Sequence, residues 1–209
     1  ERDRIIKKVM ANRTSELNLF FSTPVWTSRI KDYNEVNKNI LEYIKVLKSN
    51  NPEGIKKSNL KGWHSSDFDL NSNKPKEYVN SIGPSINEAL IDMGWDLKNQ
   101  EVKIQSMWSI INKSDASNSR HIHGNCFISA AYYVSAPKNC GDIVFHDPRS
   151  EPTYFHPRVE TPNKLNTNII KITPENGLLV LFPSYIYHSV EANKSNEERI
   201  VISFNINLK

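Results

Sequence analysis

Three of the six histidines, His121, His123 and His188, stand in an order that could hold a metal ion, and Arg199 follows the last of them by eleven residues. The first two lie in Arg120-His121-Ile122-His123-Gly124-Asn125. Side chains alternate faces along a β-strand, so an extended backbone puts His121 and His123 on one side, roughly 7 Å apart along the strand. That is close enough to share one ion, with Ile122 facing the other way. Arg199 opens a stretch in which Ile200, Ile202 and Phe204 share one face while Val201 and Ser203 share the arginine's own. On the inner face of a barrel strand an arginine needs an anionic partner, because an unpaired buried charge is costly. The chemistry predicted is a protein-bound metal with an anion-binding arginine beyond it. A lone histidine is more often an ordinary hydrogen-bonded residue, and His64, His146 and His156 are read that way.

These groups require a sheet to position them, and the second half of the chain supplies one. Val102 to Ile111, Cys126 to Ala136, Asp142 to His146, Asn168 to Ile172, Leu178 to Phe182 and Arg199 to Leu208 read as strands, rich in aromatic and β-branched residues. Turn clusters such as Pro174-Glu175-Asn176-Gly177 and Asn193-Lys194-Ser195-Asn196 separate them. This is the rhythm of an antiparallel sandwich or barrel. The first hundred residues differ. Leu19-Phe20-Phe21 and Val25-Trp26 read as a short entry strand after a polar, poorly ordered N-terminal arm. Asn34 to Lys48 carries Val36, Ile40, Ile44 and Leu47 at helical spacing, capped by Asp32 or Asn34. Tyr78, Ile82, Ile86, Leu90 and Met93 predict a second helix, with Pro84 in its first turn or at a kink. Such helices would cover a sheet's outer face. Between Asp147 and Asn166 lies an irregular insert with four prolines, which reads as a lid or substrate-contacting loop.

Composition limits the surroundings of the site. A chain of 209 residues, 24% of them charged, is long enough for one domain with a substantial core. The expectation is a single domain over 1–209, with a helical flank and entry strand over 1–100 and the β core over 101–209. No apolar run of eighteen residues occurs, and the charged start Glu1-Arg2-Asp3-Arg4 lacks a signal-peptide pattern, so a cytoplasmic protein with no membrane partner is expected. Cys126 and Cys140 fall at opposite ends of one hairpin arm, beyond bridging distance, and read as free thiols. A net charge of +4 spread among scattered lysines argues against a nucleic-acid partner. Exposed apolar positions on the first helix would permit a homodimer.

His121-x-His123, Tyr132-Tyr133, Gly141-Asp142, Phe145, Pro174-x-x-Gly177, Phe182, His188 and Arg199, in this order, resemble the double-stranded β-helix (jelly-roll) oxygenases that use Fe(II) and 2-oxoglutarate, in particular the prolyl-hydroxylase-like members. Thr23-Pro24-Val25-Trp26, Gly62-Trp63-His64-Ser65 and Gly141 to Arg149 are similar to a bacterial and phage group within them. The resemblance implies a mainly β jelly-roll, cupin-like fold with flanking helices. It also implies an Fe(II) site at His121 and His188, and 2-oxoglutarate held as cosubstrate by Arg199 with Tyr133 assisting. The implied activity is hydroxylation of an unidentified substrate, a small molecule or a protein side chain, with release of succinate and CO2.

The departure from the pattern is His123, where most relatives place a carboxylate. Three readings stay open: an all-histidine site, a two-histidine site with His123 behind it, or a carboxylate supplied from elsewhere, such as Asp147. The hydroxylases of aspartyl and asparaginyl side chains also resemble this chain around His121 and Asn125-Cys126, and they lack the carboxylate altogether. Two rivals to the oxygenase remain: a cupin-like metalloenzyme using Zn or Mn without 2-oxoglutarate, and an inactive jelly roll that only binds.

Overall fold

Alternation along the three longest strands builds the fold. The computed structural model describes residues 14–150 and 157–209. Within it β11 (Arg199–Leu208) is paired antiparallel on one side with β4 (Val102–Asn112) and on the other with β6 (Ile128–Ser135). These strands belong to a six-stranded sheet of order β1-β9-β6-β11-β4-β3, completed by β1 (Trp26–Arg29), β3 (Trp63–His64) and β9 (Leu178–Pro183). A second, five-stranded sheet has the order β2-β5-β10-β7-β8. It comprises β2 (Asn59–Leu60), β5 (Ser117–His121), β7 (Ile143–His146), β8 (Ile169–Ile172) and β10 (His188–Val190). Every pairing is antiparallel. The two facing sheets form the double-stranded β-helix.

The period of two divides each central strand between two cores. Ile200, Ile202, Phe204 and Ile206 of β11, with Tyr132 of β6 and Leu179 and Leu181 of β9, join the larger cluster. Helices α1 (Tyr33–Asn50) and α2 (Asn73–Asp92) cover that face with Ile40, Ile44, Ile82 and Leu90. The alternate residues, Val201, Tyr133, Ala131, Val180 and Phe182, turn inward and pack with Ile143 and Phe145 of the second sheet. Strands β6 and β9 are thus buried on both faces.

Several expectations are adjusted. Helix α1 starts at Tyr33, and Asp32 occupies its N-cap position without a side-chain capping bond, in a left-handed conformation. Pro84 stands well inside α2, beyond its first turn. The polar strand β5 ends at His121, so His123 lies just past the strand and not within it. Both cysteines are free thiols, Cys140 buried and Cys126 half-buried. The N-terminal arm up to residue 13, and His156 within the insert, lie outside the described residues.

Candidate active site

The inward-facing side chains enclose a cavity of about 700 Å³ between the sheets. At one end the minor sheet brings two histidines together directly. His188 on β10 is the register partner of His121 on β5, and facing residues in adjacent antiparallel strands have close Cβ atoms. Their ring centroids are 4.3 Å apart. His123 follows after the strand ends and is held by its backbone N–H, which donates to Ser184 O at 3.1 Å. Its ring centroid lies 5.1 Å from each of the other two. One ligand atom from each of the three histidines lies within 4.8 Å of the others, and this is the metal-competent cluster found among the described residues.

Each ring has its Nδ1 occupied by an acceptor. His121 Nδ1 donates to Ser119 O at 2.7 Å, His188 Nδ1 to Ile186 O at 3.0 Å and His123 Nδ1 to Asn205 Oδ1 at 2.6 Å. An imidazole that donates through Nδ1 presents an unprotonated Nε2, the state a metal requires. Burial keeps all three rings neutral by lowering their pKa values, most strongly for His188, pushed down to about 3 with help from neighbouring His121. Asn205 Oδ1 also accepts from Ser129 Oγ at 2.9 Å, while Asn205 Nδ2 donates to Ser106 Oγ at 3.1 Å.

The same cavity carries the arginine. Arg199 is fully buried, and its Nη1 donates to Cys140 O, to Gly141 O at 3.4 Å and to Glu191 O at 3.0 Å. Gly141 has φ +86°, and a Cβ there would stand 2.6 Å from Glu191 O, so this carbonyl cradle closes only around glycine. Nε and Nη2 of Arg199 are buried with no protein partner. A buried guanidinium with two unmatched parallel donors calls for a bidentate anion such as a carboxylate. Tyr133, also buried, lines the cavity beside it; burial raises the phenol's pKa and the nearby Arg199 opposes that rise.

The three histidines, Arg199 and Tyr133 thus line one cavity. Asp147 does not join them, since its carboxylate is held by Arg149 Nε at 3.0 Å and Nη2 at 2.8 Å. His146 bonds Ser189 Oγ at 3.2 Å outside the cavity. His64 is a buried, hydrogen-bonded histidine, its Nδ1 donating to Ser65 O at 2.7 Å, and its ring stands in the cavity wall stacked 5.5 Å from Trp108. The described residues of the proline-bearing insert do not line the cavity. Sequence reasoning passed over Trp108, Asn112 and Asn205. A signal for them existed, because Asn205 falls on the alternating face of Arg199, and Trp108 and Asn112 share one face of β4.

A jelly roll whose cavity is lined by a histidine cluster and an anion-seeking arginine is the arrangement that the resemblance to the Fe(II)- and 2-oxoglutarate-dependent oxygenases implies. Residues 106–205, the part of the chain that carries all five of these residues, match the model of a 2OG-Fe(II) oxygenase family. No curated protein sequence matches the chain. The fold is similar to that of a Pseudomonas putida prolyl-4-hydroxylase, with a TM-score of 0.62 at 11% identity over 98% of this chain and 97% of that one. It is also similar to a viral collagen prolyl hydroxylase from Paramecium bursaria Chlorella virus-1 in complex with 2-oxoglutarate, with a TM-score of 0.57 at 14% identity over 87% of this chain and 94% of that one. HygX from Streptomyces hygroscopicus, bound to nickel and 2-oxoglutarate, gives a TM-score of 0.57 at 10% identity over 88% and 82%. No helix among the described residues is long and apolar enough to cross a membrane.

Proposed function

We propose that this chain is a 2-oxoglutarate-dependent hydroxylase in which His121, His123 and His188 hold Fe(II), and Arg199 with Tyr133 binds the distal carboxylate of 2-oxoglutarate. The observation that carries this reading is the pair of buried, unmatched donors on Arg199, in the same cavity as three imidazoles whose Nε2 atoms are kept free of protons. A zinc or manganese enzyme without 2-oxoglutarate leaves those donors unexplained. When bound, Fe(II) would activate dioxygen as the oxidant, with two electrons from decarboxylation of 2-oxoglutarate to succinate and CO2 and two from the substrate C–H bond, one oxygen atom entering succinate and the other the hydroxylated product.

The protein's share is to position and to exclude water. Arg199 orients one end of the cosubstrate through a fork that its carbonyl cradle holds rigid. The carbonyls of Ser119 and Ile186 and the amide of Asn205 orient the imidazoles. Phe182, Phe145 and Val201 make the inner wall apolar. The substrate is a small molecule or a side chain small enough to enter the remaining space.

Anaerobic titration with Fe(II) and 2-oxoglutarate tests the assignment. The wild type develops the visible charge-transfer band of a chelated 2-oxo acid, and His188→Ala and His123→Ala lose it while remaining folded by circular dichroism. A band that survives in His123→Ala removes this residue from the ligand set; no band in the wild type overturns the oxygenase reading.

A further inference from the structure

We propose that the outer half of the cavity binds a small zwitterion of the amino-acid type, with Asp67 facing its ammonium group and Lys57 its carboxylate. This names the substrate class of the oxygenase reading above and rests on it. Among the described residues, three side chains of fixed formal charge line the cavity: Arg199 at the deep end, and Lys57 and Asp67 at the mouth. Arg199 is accounted for by the cosubstrate. The other two are of opposite sign, and among the described residues neither has an ion-pair partner.

Their backbone positions are fixed by the two sheets. The Lys57 N–H donates to Asn59 Oδ1 at 2.7 Å, and the carbonyl of the adjacent Ser58 accepts from the Ser119 N–H of β5 at 3.0 Å. On the other side Phe68, next to Asp67, donates its N–H to Met107 O of β4 at 2.7 Å. Lys57 therefore belongs to the lip of the minor sheet and Asp67 to the lip of the major one. Both line the same cavity as the His64 ring. Uncharged Ser58, Ser66, Ser106 and Trp108 line the same cavity. Trp108 Nε1–H is buried there without a protein acceptor and can donate to the ligand.

Charge matching argues against nucleotides and residues within a peptide. A nucleotide would bring its phosphates to a mouth with one lysine and one aspartate, where neutralisation by several cations is the rule. A residue inside a peptide carries neither terminal charge and leaves both lips unmatched. A cavity of about 700 Å³ is within the usual range of small-molecule sites and accommodates an amino acid beside the cosubstrate.

The test is succinate release by the Fe(II)-loaded chain with each free L-amino acid, with the N-acetyl and carboxamide forms of the best responder, and with a nucleotide and a proline-containing peptide as competitors for the assignment. One or more free amino acids should raise succinate release over the substrate-free background, and blocking either charged end should remove the rise. Asp67→Asn should raise the KM for the amino acid about fivefold, the upper range for an exposed ion pair, and should no longer distinguish the amino acid from its N-acetyl form. Equal stimulation by blocked forms in the wild type, or stimulation by the peptide or nucleotide alone, overturns the inference. If the charge-transfer band with 2-oxoglutarate forms while no amino acid stimulates, the failure falls on the substrate class. If the band itself is missing, the oxygenase reading falls, and the inference with it.

Discussion

Asn205 Oδ1 accepts from His123 Nδ1 at 2.6 Å, and Ser129 Oγ stands 3.0 Å from the same nitrogen, so the partners of this ring are side chains that mutation can remove. The corresponding acceptors for His121 and His188 are backbone carbonyls. Asn205→Leu combined with Ser129→Ala therefore releases the tautomer of a single ligand. Such partners of metal-bound histidines are typically worth 10–100-fold in affinity, so Ni(II) or Co(II) should bind about that much more weakly by calorimetry. Asn205→Asp keeps an acceptor and should hold affinity near the wild type. A double variant that binds metal within twofold of the wild type would show that His123 does not depend on these bonds, or is no ligand.

Arg199 joins cosubstrate binding to stability, and the two can be separated. Saturating 2-oxoglutarate should stabilise the Fe(II)-loaded protein, by about 2.7 kcal/mol when its concentration is a hundredfold over Kd. Arg199→Lys retains a positive charge but not the planar fork. It should lose most of that ligand-induced shift in thermal melts. It also deprives the carbonyls of Cys140 and Glu191 of a charged donor, so the ligand-free melting temperature drops as well. A Lys variant with an undiminished 2-oxoglutarate shift would be inconsistent with the carboxylate assignment.

Trp108 offers an internal probe, because its ring centroid is 5.8 Å from that of His123. A transition metal held by the three histidines should quench its emission. Of the four tryptophans, Trp108 is the one in this wall, so Trp108→Phe should abolish most of the metal-dependent quenching. Quenching unchanged in that variant would put the metal elsewhere.

What was legible in the sequence was periodicity. The alternation of Arg199, Val201 and Ser203 against Ile200, Ile202 and Phe204 is present residue by residue in β11, which starts and ends where the pattern places it. Helix α1 was legible from Val36, Ile40, Ile44 and Leu47 for the same reason. Pairing over long separations was not. Nothing local in Ser117-Asn118-Ser119-Arg120 indicates a strand; β5 exists because β2 and β10 supply its hydrogen bonds. The juxtaposition of His64 with Trp108 likewise depends on β3 pairing with β4, forty-odd residues away in the chain. The carbonyl cradle of Arg199 is equally invisible, since carbonyls carry no side-chain signature and only Gly141 marks the spot.

Acid should unfold the metal-free protein through its histidines. His188 has a pKa near 3 in the folded state, lowered first by burial and then by His121, and burial also lowers His121 and His123. In the unfolded chain each ring titrates near 6.5. Above that value both states are uncharged at these positions and their contribution to stability is flat. Below it the unfolded chain binds protons that the folded chain refuses, so stability falls as the pH drops from about 6.5 toward about 3. His188 alone contributes a loss on the order of 4 kcal/mol across that window, at about 1.4 kcal/mol per pH unit and proton. Urea unfolding of the metal-free protein between pH 7.5 and 4.5 should show this decline. His188→Phe, which keeps a ring against Phe182 and cannot bind a proton, should flatten the slope by about one proton's worth. Parallel slopes for the two proteins would mean that His188 is not held neutral by the fold, and would remove one support for its role as a ligand.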